Sequence, residues 1–305
     1  MTRAADPDET GYVERDGVRV YWERYGDGEP TVVLLPTWSI VHSRVWKMQV
    51  PYFARHFRVV VFDPRGNGRS ERSDDPAAFA ETEYAEDLLA VMDASGTERA
   101  VLVSLSLGAQ RTLVVADSHP ERVLALGFVA PALPIAPLHP ERAHYAARFE
   151  EELDTDAGWA KSNAQYWRRD YRGFVEFFIS RIFTEPHSTK QIEDGVAWGL
   201  ETDPETLIAT GLAENLGEEE TRAICSRLRC PVLVMHGEDD AVRPMAIGEE
   251  LAAITSAQFV RMPGVGHCPQ ARKPVQVNLT LRELMESAAR SPPAPLSTTG
   301  PPTER

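Results

Sequence analysis

Ala100-Val101-Leu102-Val103-Ser104-Leu105-Ser106-Leu107-Gly108-Ala109 is the stretch on which the reading of this chain turns. Up to Leu105 it is a nearly continuous apolar, β-branched run, the pattern of a strand buried on both faces, and beyond Leu107 the apolar residues fall at helical spacing. A buried strand that turns at once into a helix strains the residue at the turn and lifts its side chain above the sheet edge. That residue is Ser106. Ser104 and Gly108, two positions to either side, are small, as a backbone passing close to its neighbours requires. The helix beginning at Leu107 directs its free N–H groups toward whatever Ser106 attacks. By itself a serine at a helix start is commonly an N-cap, so the assignment depends on what else the chain supplies.

Outward from this stretch the same strand pattern recurs in PTVVLLP (30–36), FRVVVFD (57–63), VLALGFVA (123–130), CPVLVMHG (230–237) and AQFVRMPG (257–264). GYVERDG and VRVYWERYG (11–26) instead alternate apolar and polar residues around Asp16-Gly17, an opening hairpin. Between the runs lie helical periodicities: Tyr84, Leu88, Val91 and Met92, and near the end Val277, Leu281, Leu284 and Met285. Alternating strand and helix argue for a doubly wound α/β domain with its functional residues on loops at the carboxyl ends of the strands.

One segment breaks the alternation. Residues 134–222 hold no strand-like run but are rich in aromatic residues, with Trp167, Tyr171, Phe174 and Phe178 at the spacing of a single helix. They are expected to form a helical cap inserted between a first core segment (1–133) and a second (223–290). Most of Trp159, Tyr166, Trp167, Tyr171, Phe174, Phe177 and Phe178 should pack the cap's own core, with a few facing a pocket. The Pro/Ser/Thr-rich 291–305 reads as a disordered tail.

A serine hydroxyl becomes a nucleophile when a histidine takes its proton, and the histidine needs a carboxylate to fix its tautomer. CPVLVMHG runs into Gly237-Glu238-Asp239-Asp240, and AQFVRMPG into Val265-Gly266-His267-Cys268-Pro269, so an acid and a histidine follow successive strands in the order Ser, Asp, His. An Asp after a strand is ordinarily a turn residue and a lone His a surface or structural one; their joint order and strand context point to catalysis. His236, inside the strand end, reads as structural, and Cys225 and Cys230 as packing residues.

These features resemble the α/β-hydrolase family over residues 11–290: the elbow Ser104–Gly108, Gly237-x-x-Asp240, Gly264-x-Gly266-His267-x-Pro269, and Asp63-Pro64-Arg65-Gly66-Asn67-Gly68-Arg69-Ser70, which is similar to the family's D-x-R-G-x-G-x-S loop. The resemblance implies a mostly parallel twisted sheet flanked by helices, with Ser106 as nucleophile, His267 as general base and acid and Asp240, rather than its rival Asp239, as orienting carboxylate. It also implies an oxyanion hole made by the backbone N–H groups of Leu107 and Trp38. Phe183–Lys190 and Trp198–Thr202 look like a bacterial subgroup of that family. Two positions depart from its pattern: Ser104 stands where glycine is usual, and Leu35-Pro36-Thr37-Trp38 where His-Gly often follows the strand. In the D-x-R-G loop, Asp63 and Arg65 are expected to hold the loop rather than touch substrate.

The implied activity is hydrolysis of a carboxylic ester, thioester or lactone through an acyl-enzyme. Carbon-carbon bond hydrolysis of a ring-fission product by the same triad is the first alternative, and a non-catalytic ligand receptor on the same scaffold the second. Dehalogenase and epoxide hydrolase chemistry is disfavoured, because it uses an aspartate where Ser106 stands. The expected partner is a small molecule with an apolar portion, with no cofactor and no metal.

Composition narrows the rest. The 305 residues carry 46 acidic against 32 basic side chains, so neither nucleic acid nor an anionic membrane is an expected partner. The longest apolar runs fall far short of a membrane span, and the acidic N-terminus lacks the apolar core of a signal peptide. Three cysteines without zinc spacing suit a reducing compartment, and a cytoplasmic location is expected. Asn278-Leu279-Thr280 matches a glycosylation sequon that is expected to be unused.

Overall fold

A computed structural model describes residues 5–290, and the expected tail lies outside them. Eight strands form one sheet: β1 (Glu9–Arg15), β2 (Val18–Tyr25), β3 (Thr31–Leu34), β4 (Arg58–Phe62), β5 (Ala100–Leu105), β6 (Val123–Val129), β7 (Val232–Gly237) and β8 (Gln258–Met262), in the order β1-β2-β4-β3-β5-β6-β7-β8. β1 and β2 are antiparallel to their neighbours and every other pairing is parallel. Asp16 and Gly17 both have positive φ (51° and 78°), the backbone of the tight hairpin turn that their residue types favour.

The apolar runs are continuous because the sheet is covered on both faces. Along β5, Val101, Val103 and Leu105 enter one core, while Ala100 and Leu102 enter the other. Leu88 and Met92 of the helix Glu81–Ala94 and Leu113 of the helix Gly108–Ser118 pack on the second face. Val277, Leu281 and Met285 of the C-terminal helix Pro274–Arg290 pack on the first, each fully buried. The sequon residue Asn278 is buried between Gln49 and the Met48 carbonyl, inside the fold.

Between β6 and β7 the chain is helical, as the missing strand pattern predicts, with helices Pro140–Ala146, Ala164–Arg169, Tyr171–Ile182, Thr189–Gly199, Pro204–Leu212 and Glu218–Arg227. The last of these spans position 222 and packs Ile224 and Cys225 on the sheet layer. The aromatic stripe is carried by two helices rather than one. Asp170 leaves helical geometry (φ −146°) and its carboxylate accepts the Gly173 N–H, ending one helix and capping the next. The break folds Trp167 back onto Phe174 (ring centroids 4.3 Å apart, stacked), which stacks in turn on Phe178. Trp159, Tyr166, Trp167, Phe174 and Phe178 are all buried. Among the described residues, no helix is long and apolar enough to cross a membrane.

Strand order reverses between β3 and β5, whose carboxyl ends open a crevice where open α/β sheets place their ligands.

Candidate active site

Ser106 follows β5 directly and is 8% exposed, with φ +52°, a left-handed conformation that few non-glycine residues adopt. Its neighbours over-determine that geometry: the Ser106 N–H donates to the Val129 carbonyl (3.0 Å) and the Ser106 carbonyl accepts the Ala132 N–H (3.0 Å). Gly108 is required by contact, since a Cβ there would lie 2.7 Å from the Pro36 carbonyl oxygen, and this close approach brings the loop after β3 against the helix start. Ser104 fits at the same crossing, buried, its hydroxyl without a partner among the described residues.

Asp240 follows β7 and is buried, whereas Asp239 is exposed. One carboxylate oxygen of Asp240 accepts the backbone N–H groups of Val242 and Arg243 (both 2.8 Å); the other lies 2.7 Å from His267 Nδ1 and 3.0 Å from His236 Nε2. A carboxylate only accepts, so Nδ1–H of His267 donates to it, leaving the Nε2 lone pair for a proton. Burial by itself would raise the Asp240 pKa, but the charges and hydrogen bonds of His267 and His236 outweigh it and hold the carboxyl well below the ordinary range. His236, read from sequence as structural, is a second partner of the acid, fully buried in β7. Its contact with Asp240 four residues on depends on how the loop turns, which spacing alone does not reveal.

The loop after β3 carries Thr37 and Trp38. Among the described residues, neither the Trp38 N–H nor the Leu107 N–H has a hydrogen-bond partner. The Thr37 carbonyl accepts from Arg111 Nη1 (3.2 Å). Because C=O and N–H of one trans peptide point in opposite directions, this bond turns the Trp38 N–H away from Arg111. Arg111, 1% exposed on the helix that follows Ser106, is itself held by both oxygens of Glu81 (3.2 Å each) and lies 3.8 Å over the Tyr84 ring. Sequence reading missed Arg111 and Glu81, because partners 30 residues apart leave no local pattern. The Trp38 indole donates to Thr210 Oγ1 (2.7 Å) and packs edge-on against Phe178, fastening this loop to the helical insertion.

Ser106, His267, Leu107 and Trp38 line one cavity with an empty volume of about 570 Å³, open solvent at its mouth included. Ser106 and His267 meet as walls of this space, with no direct hydrogen bond between them. Phe178, Ile179, Ile182 and Trp198 of the insertion line the same space, and the Ile182 carbonyl accepts the His267 N–H (3.3 Å). Of the seven cap aromatics singled out in the sequence, Phe178 alone lines the cavity. Cys268 lines it too, but burial pushes its thiol up to about 12, which leaves it protonated and a poor nucleophile at neutral pH.

The glycine-rich loop after β4 is occupied with holding itself. Asp63 accepts from the Ser43 hydroxyl (2.6 Å) and the Arg69 N–H (3.0 Å), and Arg65 grips both oxygens of Asp87 (2.6 Å each). A Cβ on Gly68 (φ +61°) would strike the Asp63 carboxylate.

A family model described as alpha/beta hydrolase fold matches residues 30–274. A bifunctional esterase/perhydrolase of Acinetobacter calcoaceticus is 24% identical over 91% of this chain and all of its own length. A pimeloyl-[acyl-carrier protein] methyl ester esterase of Yersinia enterocolitica is 26% identical over 84% of this chain and 93% of its own. Among solved structures, an N-acyl homoserine lactone degrading enzyme, Est816, superposes with a TM-score of 0.72 at 26% identity, covering 90% of this chain and 99% of that one. With the sheet order, the elbow and the family match in agreement, the chain belongs to the α/β-hydrolase fold family.

Proposed function

We propose that this protein hydrolyses carboxylic esters, thioesters or lactones through a Ser106–His267–Asp240 triad and an acyl-enzyme, with the insertion acting as a cap. The observation that carries the reading is the convergence on one cavity of the strained Ser106 and of His267, whose far nitrogen is tied to Asp240 at 2.7 Å. Ser106 Oγ attacks the acyl carbon while His267 Nε2 takes its proton. The imidazolium so formed is stabilised by Asp240 and returns the proton to the departing alcohol; water then repeats the sequence on the acyl-enzyme. Negative charge on the carbonyl oxygen falls to the Leu107 and Trp38 N–H groups, each such donor being worth roughly 10²–10³ in rate. The Arg111 hold on the Thr37 carbonyl keeps the second donor turned toward its task. Relatives named as esterases and a lactone-degrading neighbour support the same reading.

A fluorophosphonate probe tests it. Labelling of the wild-type protein at Ser106, abolished in Ser106→Ala, is expected, together with turnover of short acyl esters. A folded protein that neither labels nor turns them over overturns the reading.

A further inference from the structure

Two arginines reach the cavity, and no carboxylate does. Arg142, from the first helix of the insertion, and Arg243, three residues beyond Asp240, are the only charged groups among the residues lining it; the remainder are apolar apart from Thr37, Ser106, His267 and Cys268. Arg142 donates one guanidinium N–H to the Val242 carbonyl and lies 4.8 Å over the Trp159 ring. The Arg243 side chain has no hydrogen bond or ion pair with any described residue, and its Nε is buried without a partner. The sole carboxylate acting on both is Asp240, whose oxygens are already taken by two histidines and two backbone N–H groups.

A cation withdrawn from water without a counter-charge is expensive, and a second cation beside it adds repulsion. The cost registers in both groups: burial pushes the Arg243 guanidinium down to about 10, and burial followed by the charge of Arg243 pushes Arg142 well below its ordinary value. Shortage of acid does not explain the arrangement, since the chain carries 46 acidic side chains against 32 basic ones, and the arginines most deeply buried among the described residues are both paired, Arg65 with Asp87 and Arg111 with Glu81. An unpaired donor fork facing an apolar space is complementary to an apolar chain that ends in an anion, and the planar fork of a guanidinium matches a carboxylate.

We infer that the substrate of this site is an ester or lactone whose apolar chain carries a carboxylate, received by Arg243 with Arg142 beside it. The inference rests on the hydrolase reading above and narrows it to a substrate class. A bound carboxylate neutralises the excess positive charge left by Asp240 and supplies binding energy remote from the reacting bond.

The experiment compares kcat/KM on matched probes. One arm uses half-methyl esters of four- to eight-carbon dicarboxylic acids against methyl esters of monocarboxylic acids of equal length. The other uses acetyl esters of ω-hydroxy acids against acetyl esters of alkanols, so that the arm showing the preference reveals whether acyl or alcohol portion carries the anion. In one arm and at one length or more, the wild-type protein should favour the carboxylate probe about tenfold or better. Arg243→Gln should reduce that ratio at least tenfold, mainly through KM. Arg243→Lys should restore part of it, and Arg142→Gln should add to the loss. The ratio of two substrates on one protein is insensitive to a general loss of folded enzyme. Equal or better turnover of the neutral probes in both arms, or a ratio unmoved in Arg243→Gln, overturns the inference while leaving the esterase reading intact. Absence of both turnover and phosphonate labelling overturns both.

Discussion

Ser106, Leu107 and His267, on segments that follow β5 and β8, form the sheet wall of the cavity, whereas Phe178, Ile182 and Trp198 line it from the helical insertion, a wall made by side-chain packing. On the first wall a strand end, a positive φ and a close backbone approach at Gly108 leave each group one place to be. On the second, the position of Phe178 depends on Phe174, which depends on Trp167, which reaches it only because the chain breaks at Asp170. The proposed chemistry therefore falls to the rigid wall and the fit of an apolar chain to the packed one, a division that substitutions on either side can break.

Ser106→Ala should have the largest effect, lowering kcat/KM on an ester substrate by about 10⁴- to 10⁶-fold, with circular dichroism showing a retained fold. A loss of less than a hundredfold would remove the sheet wall's claim to the chemistry. Next in size is Arg111, which acts on that wall through Thr37. Arg111→Met combined with Glu81→Gln, which avoids stranding a buried carboxylate, should lower kcat by about tenfold to a hundredfold, less than outright deletion of an oxyanion donor. Steady-state kinetics should place the loss in kcat rather than KM; a pure KM effect would move Arg111 to the binding side of the division.

On the packed wall, Phe178→Ala should shift relative kcat/KM among acyl chain lengths by up to about tenfold, the scale of one or two methylene groups in an apolar pocket. A uniform loss across all lengths would instead tie Phe178 to catalysis, through its contact with Trp38.

The smallest effect concerns stability and pH. Asp240 has its folded pKa held below the unfolded value, so its contribution is complete above the unfolded pKa of about 4 and is withdrawn as pH falls toward the folded one. The difference in unfolding free energy between wild type and Asp240→Asn, from denaturant melts, should accordingly be greatest near neutrality and narrow below about pH 4. A difference that does not vary with pH would mean that packing, not charge, holds the acid loop.

Much of this was open to reading one residue at a time. The strand runs and the hairpin at Asp16-Gly17 each follow from a local rule that tertiary packing did not override, and the serine expected at the turn has the left-handed backbone; Asp240, favoured over Asp239 by the family resemblance alone, is the buried one of the two. The break in the aromatic stripe was not legible, because periodicity registers apolar spacing but not an aspartate placed to cap the next helix. His236 on Asp240, Arg111 on Thr37 and the Trp38 indole on Thr210 join residues brought together by loop paths and helix docking.

The sequence by itself determined the layered sheet and the turn at Ser106, because burial on two faces and a turn from strand to helix restrict which residue types can follow one another. Only the tertiary structure decided what surrounds those residues: which aromatic meets the cavity, which arginine steadies the loop after β3, and which two arginines line the apolar space without an ion pair. Such contacts are settled by how independently formed elements pack, and the energy of a contact does not depend on how far apart its residues lie along the chain.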